Sequence, residues 1–176
     1  KWTAKEMMIN NETLSDYVQL LLDEREIWRL MVEYFDAVDA LDPKRAVQIF
    51  SDDVIGDFMT GRVYQGRGTI ERALGKILLQ YEQTSHHITN HRAEVSGDVG
   101  TACTWIYAFH RMVGTDEVWH LWARHIDELE RIQAPMKRAD GIPPEQMEYK
   151  VRRLVNDYLQ PPKVTKKMEI GLERIL

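Results

Sequence analysis

The sequence predicts an α+β fold, a curved antiparallel sheet wrapped around helices to form a cone with an internal pocket. Three observations predict it. Apolar residues recur at helical spacing early in the chain, the later half switches to alternation with period two, and glycine-centred turns join successive alternating segments. At 176 residues the chain has enough length for one hydrophobic core and too little for two domains with a linker.

From Asn11 to Leu41 the apolar positions are Leu14, Val18, Leu21, Leu22, Ile27, Leu30, Met31, Tyr34, Phe35, Val38 and Leu41. This spacing predicts one long helix or two in series, with Asn11 or Thr13 as N-cap. Asp42-Pro43 ends it, because a residue before proline is pushed out of the helical region, and Pro43 opens a short helix over 44–50. Residues 54–59 and 62–65 read as a hairpin turned at Thr60-Gly61. After Gly66-Arg67-Gly68, Thr69 is expected to cap a helix reaching about Gln83, with Ile70, Leu74, Ile77, Leu78 and Tyr81 as its stripe.

Beyond Ser85 four extended segments follow, at 86–95, 101–112, 118–132 and 148–158. Ser96-Gly97-Asp98 and Gly114-Thr115-Asp116 have the composition of hairpin turns, so these strands are expected to be antiparallel neighbours. The stretch 133–146, with Pro135, Gly141, Pro143 and Pro144, is too proline-rich for a regular element and longer than most hairpin connections. After Pro161, residues 164–176 fit a short amphipathic helix carrying Met168, Leu172, Ile175 and Leu176. In the segment 101–112 both parities are apolar, Cys103, Trp105, Tyr107 and Phe109 against Ala102, Thr104, Ile106 and Ala108. One face is therefore expected to line a cavity and the other to pack on helices or another subunit.

Composition removes several classes of function. Hydrophobic residues at 44% and charged residues at 29% suit a globular domain, and no apolar run is long enough to span a bilayer. Residues 1–10 lack the pattern of a signal peptide, so a cytoplasmic location is expected. A single cysteine, Cys103, excludes an intrachain disulfide and a thiolate-rich metal site, and reads as a packed small hydrophobe. A net charge of −5 offers no positive surface to a nucleic acid backbone, so no nucleic acid partner is expected.

At about 100° per residue Asp39 falls at the edge of the apolar helix face beside Trp28 and Val32, whereas Asp36 falls on the polar side. A carboxylate turned toward apolar neighbours costs several kcal/mol unless it finds a cation or a donor. The alternative is a solvated Asp at a frayed helix end. The candidate partner lies in Thr84-Ser85-His86-His87-Ile88-Thr89-Asn90-His91, where alternation divides His86, Ile88 and Asn90 from His87, Thr89 and His91. A chelating cluster fits poorly, since His87 and His91 stand about 13 Å apart on a strand and His86 points away from His87. No metal site is expected among the six histidines, His86, His87, His91, His110, His120 and His125.

Tyr34-Phe35-Asp36-Ala37-Val38-Asp39-Ala40-Leu41-Asp42, Phe50 with Ser51-Asp52-Asp53-Val54, Tyr64-Gln65-Gly66-Arg67, His86-His87-Ile88-Thr89-Asn90 and Trp122-Ala123-Arg124-His125-Ile126-Asp127 together carry a resemblance. Over residues 15–158 the chain resembles the SnoaL-like branch of the cone-shaped α+β fold shared with nuclear transport factor. Within it the spacing is similar to that of scytalone dehydratase, bile-acid 7α-dehydratase and hexachlorocyclohexane dehydrochlorinase. Those are cofactor-free lyases in which an Asp of the first long helix orients a His of the first central strand. The resemblance implies Asp39 and His86 in these roles and Tyr34, five positions before the Asp, as a third catalytic group. By approximate position it also places Asn90, His110 and Arg124 at the substrate. Trp28, Met31, Phe35, Trp105 and Trp122 are expected in the pocket wall, with plain core as the alternative. The whole chain, 1–176, is expected to form one such domain, with 159–176 as a C-terminal extension.

A His whose far ring nitrogen meets a buried carboxylate is held in one tautomer, and its protonated form is stabilised. Such a dyad suits proton abstraction beside a carbonyl or another acidified carbon, followed by loss of hydroxide or halide, with Tyr34 stabilising the developing enolate. The expectation is a cofactor-free, dehydratase-like lyase acting on a cyclic, largely apolar substrate such as a steroid, terpenoid or polyketide. It is expected to work as a homo-oligomer, a dimer or trimer. Two alternatives stay open: a polyketide cyclase or isomerase using the same dyad, and a non-catalytic small-ligand binder or dioxygenase small-subunit-like protein.

Overall fold

The computed structural model describes residues 11–58, 62–133, 147–158 and 163–166. Helix α1 runs unbroken over Asn11–Asp39. Ile27, Leu30, Met31, Tyr34 and Val38 share one face at helical spacing, and all are buried. The helix stops at Leu41, which takes a left-handed φ of 56°. There the Leu41 N–H donates to the Val38 carbonyl and the Asp42 N–H to the Ala37 carbonyl, both at 2.9 Å, satisfying the last turn.

The Asp42 side chain then caps α2, Pro43–Ala46, by accepting from the Arg45 N–H at 2.9 Å. The short helix expected over 44–50 is thus one α turn followed by a 3-10 turn at Val47–Ile49, and Phe50 already opens strand β1, Phe50–Asp57. Strand β2, Val63–Gln65, pairs antiparallel with β1; the turn expected at Thr60-Gly61 lies outside the described residues. Helix α3, Arg67–Leu78, starts after Gly66 with no side-chain cap, so Thr69 is not its N-cap. It also ends five residues before Gln83. Tyr81 and Gln83 instead pair with Met112 and Arg111, and the ladder they complete overrides the helical pattern of the local sequence.

The long strands β3 (Tyr81–Ser96), β4 (Val99–Met112), β5 (Glu117–Gln133) and β6 (Met147–Tyr158) are successive antiparallel neighbours. Gly97 and Gly114, with φ of 61° and 72°, make the first two hairpin turns, which a side chain would strain. The order across the sheet is β2-β1-β6-β5-β4-β3, and β1 lies parallel to β6. The sheet is therefore mixed rather than wholly antiparallel, because β1 returns beside β6 across the whole helical layer. Strand β7, Lys163–Lys166, pairs with the first residues of β5. Residues 164–166 are thus extended rather than helical, since they complete an edge of β5 that β6 leaves open. The rest of the expected tail helix and residues 134–146 of the expected loop lie outside the described residues.

The buried face of α1 packs on the concave side of the sheet against Ala102, Ile106, Ala108, Leu129, Val151 and Leu154, and α3 adds Ile70, Leu74 and Leu78. Where α1, α3 and the starts of β3 and β5 diverge, the core opens into a cavity. No helix among the described residues is long and apolar enough to cross a membrane.

Candidate active site

Asp39 closes the last turn of α1 and projects toward β3. Its Oδ1 lies 2.6 Å from His86 Nδ1, and its Oδ2 accepts the His86 backbone N–H at 2.8 Å. One carboxylate thus grips both the ring and the main chain of the same residue. Because an ionised carboxylate only accepts, the proton on that side belongs to Nδ1, which leaves Nε2 as the ring's free lone pair when the imidazole is neutral. Burial alone would push the Asp39 carboxyl up. The side-chain and backbone hydrogen bonds from His86 and the nearby charges of His86 and His110 outweigh it, and the net direction is down. Asp39 therefore stays ionised at neutral pH.

His86 stands in the wall of a cavity of about 260 Å³ whose other walls are largely apolar: Phe35, Val38, Phe58, Leu74, Leu78 and Ile106 among them. Tyr34 and His110 also line it. The His110 ring meets the His86 ring edge-on at 5.3 Å between centroids. Burial first, and then the charge of His86, push the His110 imidazole down to about 4 against a weaker pull from Asp39. At neutral pH it is an uncharged hydrogen-bonding group in the wall.

Of the eleven site residues expected from sequence, His86, Tyr34, Phe35 and His110 line this cavity, and Asp39 holds His86 from outside its lining. Met31 is fully buried in the core beneath it. Trp28 packs instead on His91, with ring centroids 4.9 Å apart. Three others belong to the opposite face. Ala123 points inward and is fully buried, so its neighbours Trp122 and Arg124 point outward, where they pair with Tyr107 and Trp105. The Arg124 guanidinium lies over the Trp105 ring at 5.9 Å, and Trp105 is itself exposed. The expected placement of Trp105, Trp122 and Arg124 at the substrate is corrected by strand parity.

Asn90 is corrected by a bulge. The β3–β4 register shifts by one residue between Thr89 and Arg92, and Asn90 adopts a left-handed φ of 48° with its side chain exposed. Before the bulge the inward residues are Thr84, His86 and Ile88; after it they are His91, Ala93 and Val95. His91 thus takes the inward place that an unbroken strand gives Asn90, and its Nδ1 lies 2.8 Å from Thr104 Oγ1. His87 faces outward beside Tyr107.

Sequence reasoning missed a second polar group in the cone. His125 and Asp127 are fully buried, with Nδ1 and Oδ2 at 3.3 Å, and Tyr34 stacks on the His125 ring at 5.2 Å. The signal was present: both share the parity of buried Ala123 and stand as two polar positions between it and buried Leu129. Among the described residues no group of three or more His, Cys, Asp or Glu side chains has metal-binding geometry.

With this geometry in place, the comparisons with known proteins add the lineage. The SnoaL-like domain family matches residues 19–140. The chain belongs to this family. Several solved structures share the fold at low identity. The LinA-type3 hexachlorocyclohexane dehydrochlorinase from Novosphingobium barchaimii LL02 superposes with a TM-score of 0.68 at 19% identity, covering 87% of this chain and 95% of that one. A protein from Novosphingobium aromaticivorans DSM 12444 with a provisional scytalone dehydratase name gives 0.67 at 21% identity, over 86% and 95%. An NTF2-like protein with a cystatin-like fold from Novosphingobium aromaticivorans gives 0.63 at 18%, over 87% and 92%. No curated protein matches the sequence.

Proposed function

We propose that this SnoaL-like protein is a cofactor-free lyase of the dehydratase kind, with Asp39 and His86 as its acid–base unit. The observation that carries the reading is the two-point grip of Asp39 on His86 at the wall of an apolar cavity. The fold shared with the dehydrochlorinase and the provisional scytalone dehydratase supports the reaction class.

His86 Nε2 takes a proton from a ring carbon beside a carbonyl, and Asp39 stabilises the resulting imidazolium. The electron pair left on carbon forms the new C=C bond as the C–O bond of a neighbouring hydroxyl breaks. The departing hydroxide takes the proton back from His86 and leaves as water, so the enzyme ends as it began. Tyr34 stabilises the negative charge that develops on the carbonyl oxygen, and His110, neutral in its pocket, meets a substrate hydroxyl. A cavity of about 260 Å³ sits at the lower edge of small-molecule sites, so one or two fused rings suit it better than a whole steroid.

The test is incubation of the full chain with a library of β-hydroxy ring ketones, followed by mass spectrometry. Loss of one water with wild type and none with His86→Gln is the expected result. A wild type that binds such rings and converts none of them would move the assignment to a binding protein.

A further inference from the structure

The cavity beside His86 has a direction. Gln80 is the exposed one among the described residues that line it, so the mouth lies at the turn from α3 into β3. Inward positions of the sheet form rows across the strands: Thr84 with His110, then His86 with Ala108 and Leu121, then Ile88 with Ile106 and Ala123. Neighbouring rows stand two residues apart, about 7 Å. Because His110 and Ala123 both line the cavity, it runs about 14 Å along the strands, and His86 sits half-way.

The inner end closes at the third row. One row further on, the inward residue of β5 is His125, which is fully buried beneath Tyr34 and Phe35 and takes no part in the lining. The floor of the cavity is therefore the row of Ile106 and Ala123. There Ile106 fills its share with a four-carbon side chain, and Ala123 offers a methyl, the smallest side chain in the lining. Ala123 is fully buried, so the space its short side chain leaves open is enclosed and shielded from solvent.

We infer that Ala123 is a specificity-determining residue of this site: its missing bulk makes the seat for the second ring of a two-ring substrate whose reacting ring lies beside His86. The inference rests on the ring-substrate reading above and adds which end of the cavity the second ring takes. Two features choose the inner end. A single row separates Ala123 from His86, so a fused neighbour of the reacting ring reaches the floor directly. Toward the mouth, bulk meets Gln80 and the His110 ring, which Tyr81 covers at 4.5 Å between centroids. At the inner end it meets Ile106 and the Ala123 methyl and leaves water altogether, the better exchange for an apolar ring. A leucine at position 123 adds three carbons, and these would occupy the seat.

The test is equilibrium binding to the full chain, which needs no turnover. The probes are two elimination products, cyclohex-2-enone and the octalone that fuses a saturated ring onto it. Four more buried carbons should make wild type bind the octalone about 10- to 100-fold more tightly. In Ala123→Leu that preference should fall to about 3-fold or less, with Ala123→Val between the two. Adding Ile106→Ala to Ala123→Leu returns space to the same row and should restore most of the preference. Thermal unfolding reports which variants fold, and Ala123→Val decides if Ala123→Leu does not. An unchanged preference in a folded variant, or both enones weakened equally, would overturn the inference. So would a wild type that binds neither enone or binds both alike. An Ala123→Val variant that no longer folds would overturn it too, because the position would then be packed tight with no seat above it. Absent turnover with the preference and its loss intact would sink the lyase reading and leave this one standing.

Discussion

His86 and His125 both face the interior of the cone, each beside an aspartate, and the two pairs are built differently. Asp39 reaches His86 from another element, across the gap between helix and sheet, and meets the ring head-on at 2.6 Å while also taking the backbone N–H. Asp127 is two positions from His125 on one strand. Side chains so related stand side by side, and the closest approach is 3.3 Å with no protein hydrogen bond to either ring nitrogen or either carboxylate oxygen. The first pair borders the cavity, and the second is sealed under Tyr34 and Phe35. A histidine and an aspartate in contact are therefore not yet a catalyst. The ring must be held in one tautomer by a partner that approaches end-on, and its other nitrogen must face space a substrate can enter.

The largest effect is expected at the first pair. His86→Gln and Asp39→Asn should each lower turnover by about 10² to 10⁴-fold, the usual contribution of a general base, with the fold intact. The double variant should be scarcely worse than either single one, because the two side chains act as one unit. Turnover and thermal unfolding measured on the same variants check this. A fully active His86→Gln would remove the chemistry from this pair.

At the second pair the same kind of substitution should damage stability instead. His125→Ala opens a cavity in the fully buried core and strips the buried Asp127 side chain of its polar neighbour, at a cost of about 3–5 kcal/mol. Replacing His125 and Asp127 together by leucines removes both buried polar groups, refills the space and should recover most of that loss. Denaturant unfolding of the two variants separates the outcomes. Lost turnover in a stable His125 variant would bring the buried pair into the mechanism and erase the contrast.

His110 stands between the two extremes, buried like the second pair and bordering the cavity like the first. Its imidazole is pushed from 6.5 down to about 4 in the folded state. Above pH 6.5 neither folded nor unfolded chain binds this proton. Between 6.5 and about 4 only the unfolded chain does, so stability falls as pH falls through that window and levels off below it. At about 1.4 kcal/mol per pH unit the total is about 3 kcal/mol. His110→Phe should flatten that limb in denaturant titrations at a series of pH values; an unchanged limb would mean that His110 is not the group responsible.

The first pair was legible in the sequence because two simple periods run unbroken up to it. The 100° step places Asp39 at the edge of the α1 face; the two-residue step separates His86 from His87 without saying which faces inward, and the family resemblance chose His86. The periods also show where reading fails. Whether Arg124 or its neighbours Ala123 and His125 face the cone depends on which parity of β5 packs inward, and both parities are apolar enough to do so. Tyr81 fits the stripe of α3 equally well and joins a strand because of Met112, thirty-one residues away. The parallel contact of β1 with β6 and the pairing of β7 with β5 are set by long-range closure of the sheet, which leaves no local mark.

The smallest expected effect concerns the bulge that separates the two regions. Asn90 is the extra residue that shifts the β3–β4 register, and at a φ of 48° it sits where Asn is tolerated and β-branched residues are not. Asn90→Val should therefore cost about 1–2 kcal/mol, while Asn90→Gly should be nearly neutral. Deleting Asn90 is the sharper change. The shortened strand restores an unbroken register, and by parity the histidine now numbered 91 still points inward, because it inherits the place of the missing residue. The deletion should keep the His91–Thr104 contact, the His86–Asp39 grip and the turnover, with stability lowered by about 1 kcal/mol or less. Turnover together with the imidazole resonances of His86 and His91 reads all three. A variant that folds but has lost turnover would show that the bulge also sets the twist on which the Asp39 grip depends, and the two regions would then be one coupled unit rather than two neighbours.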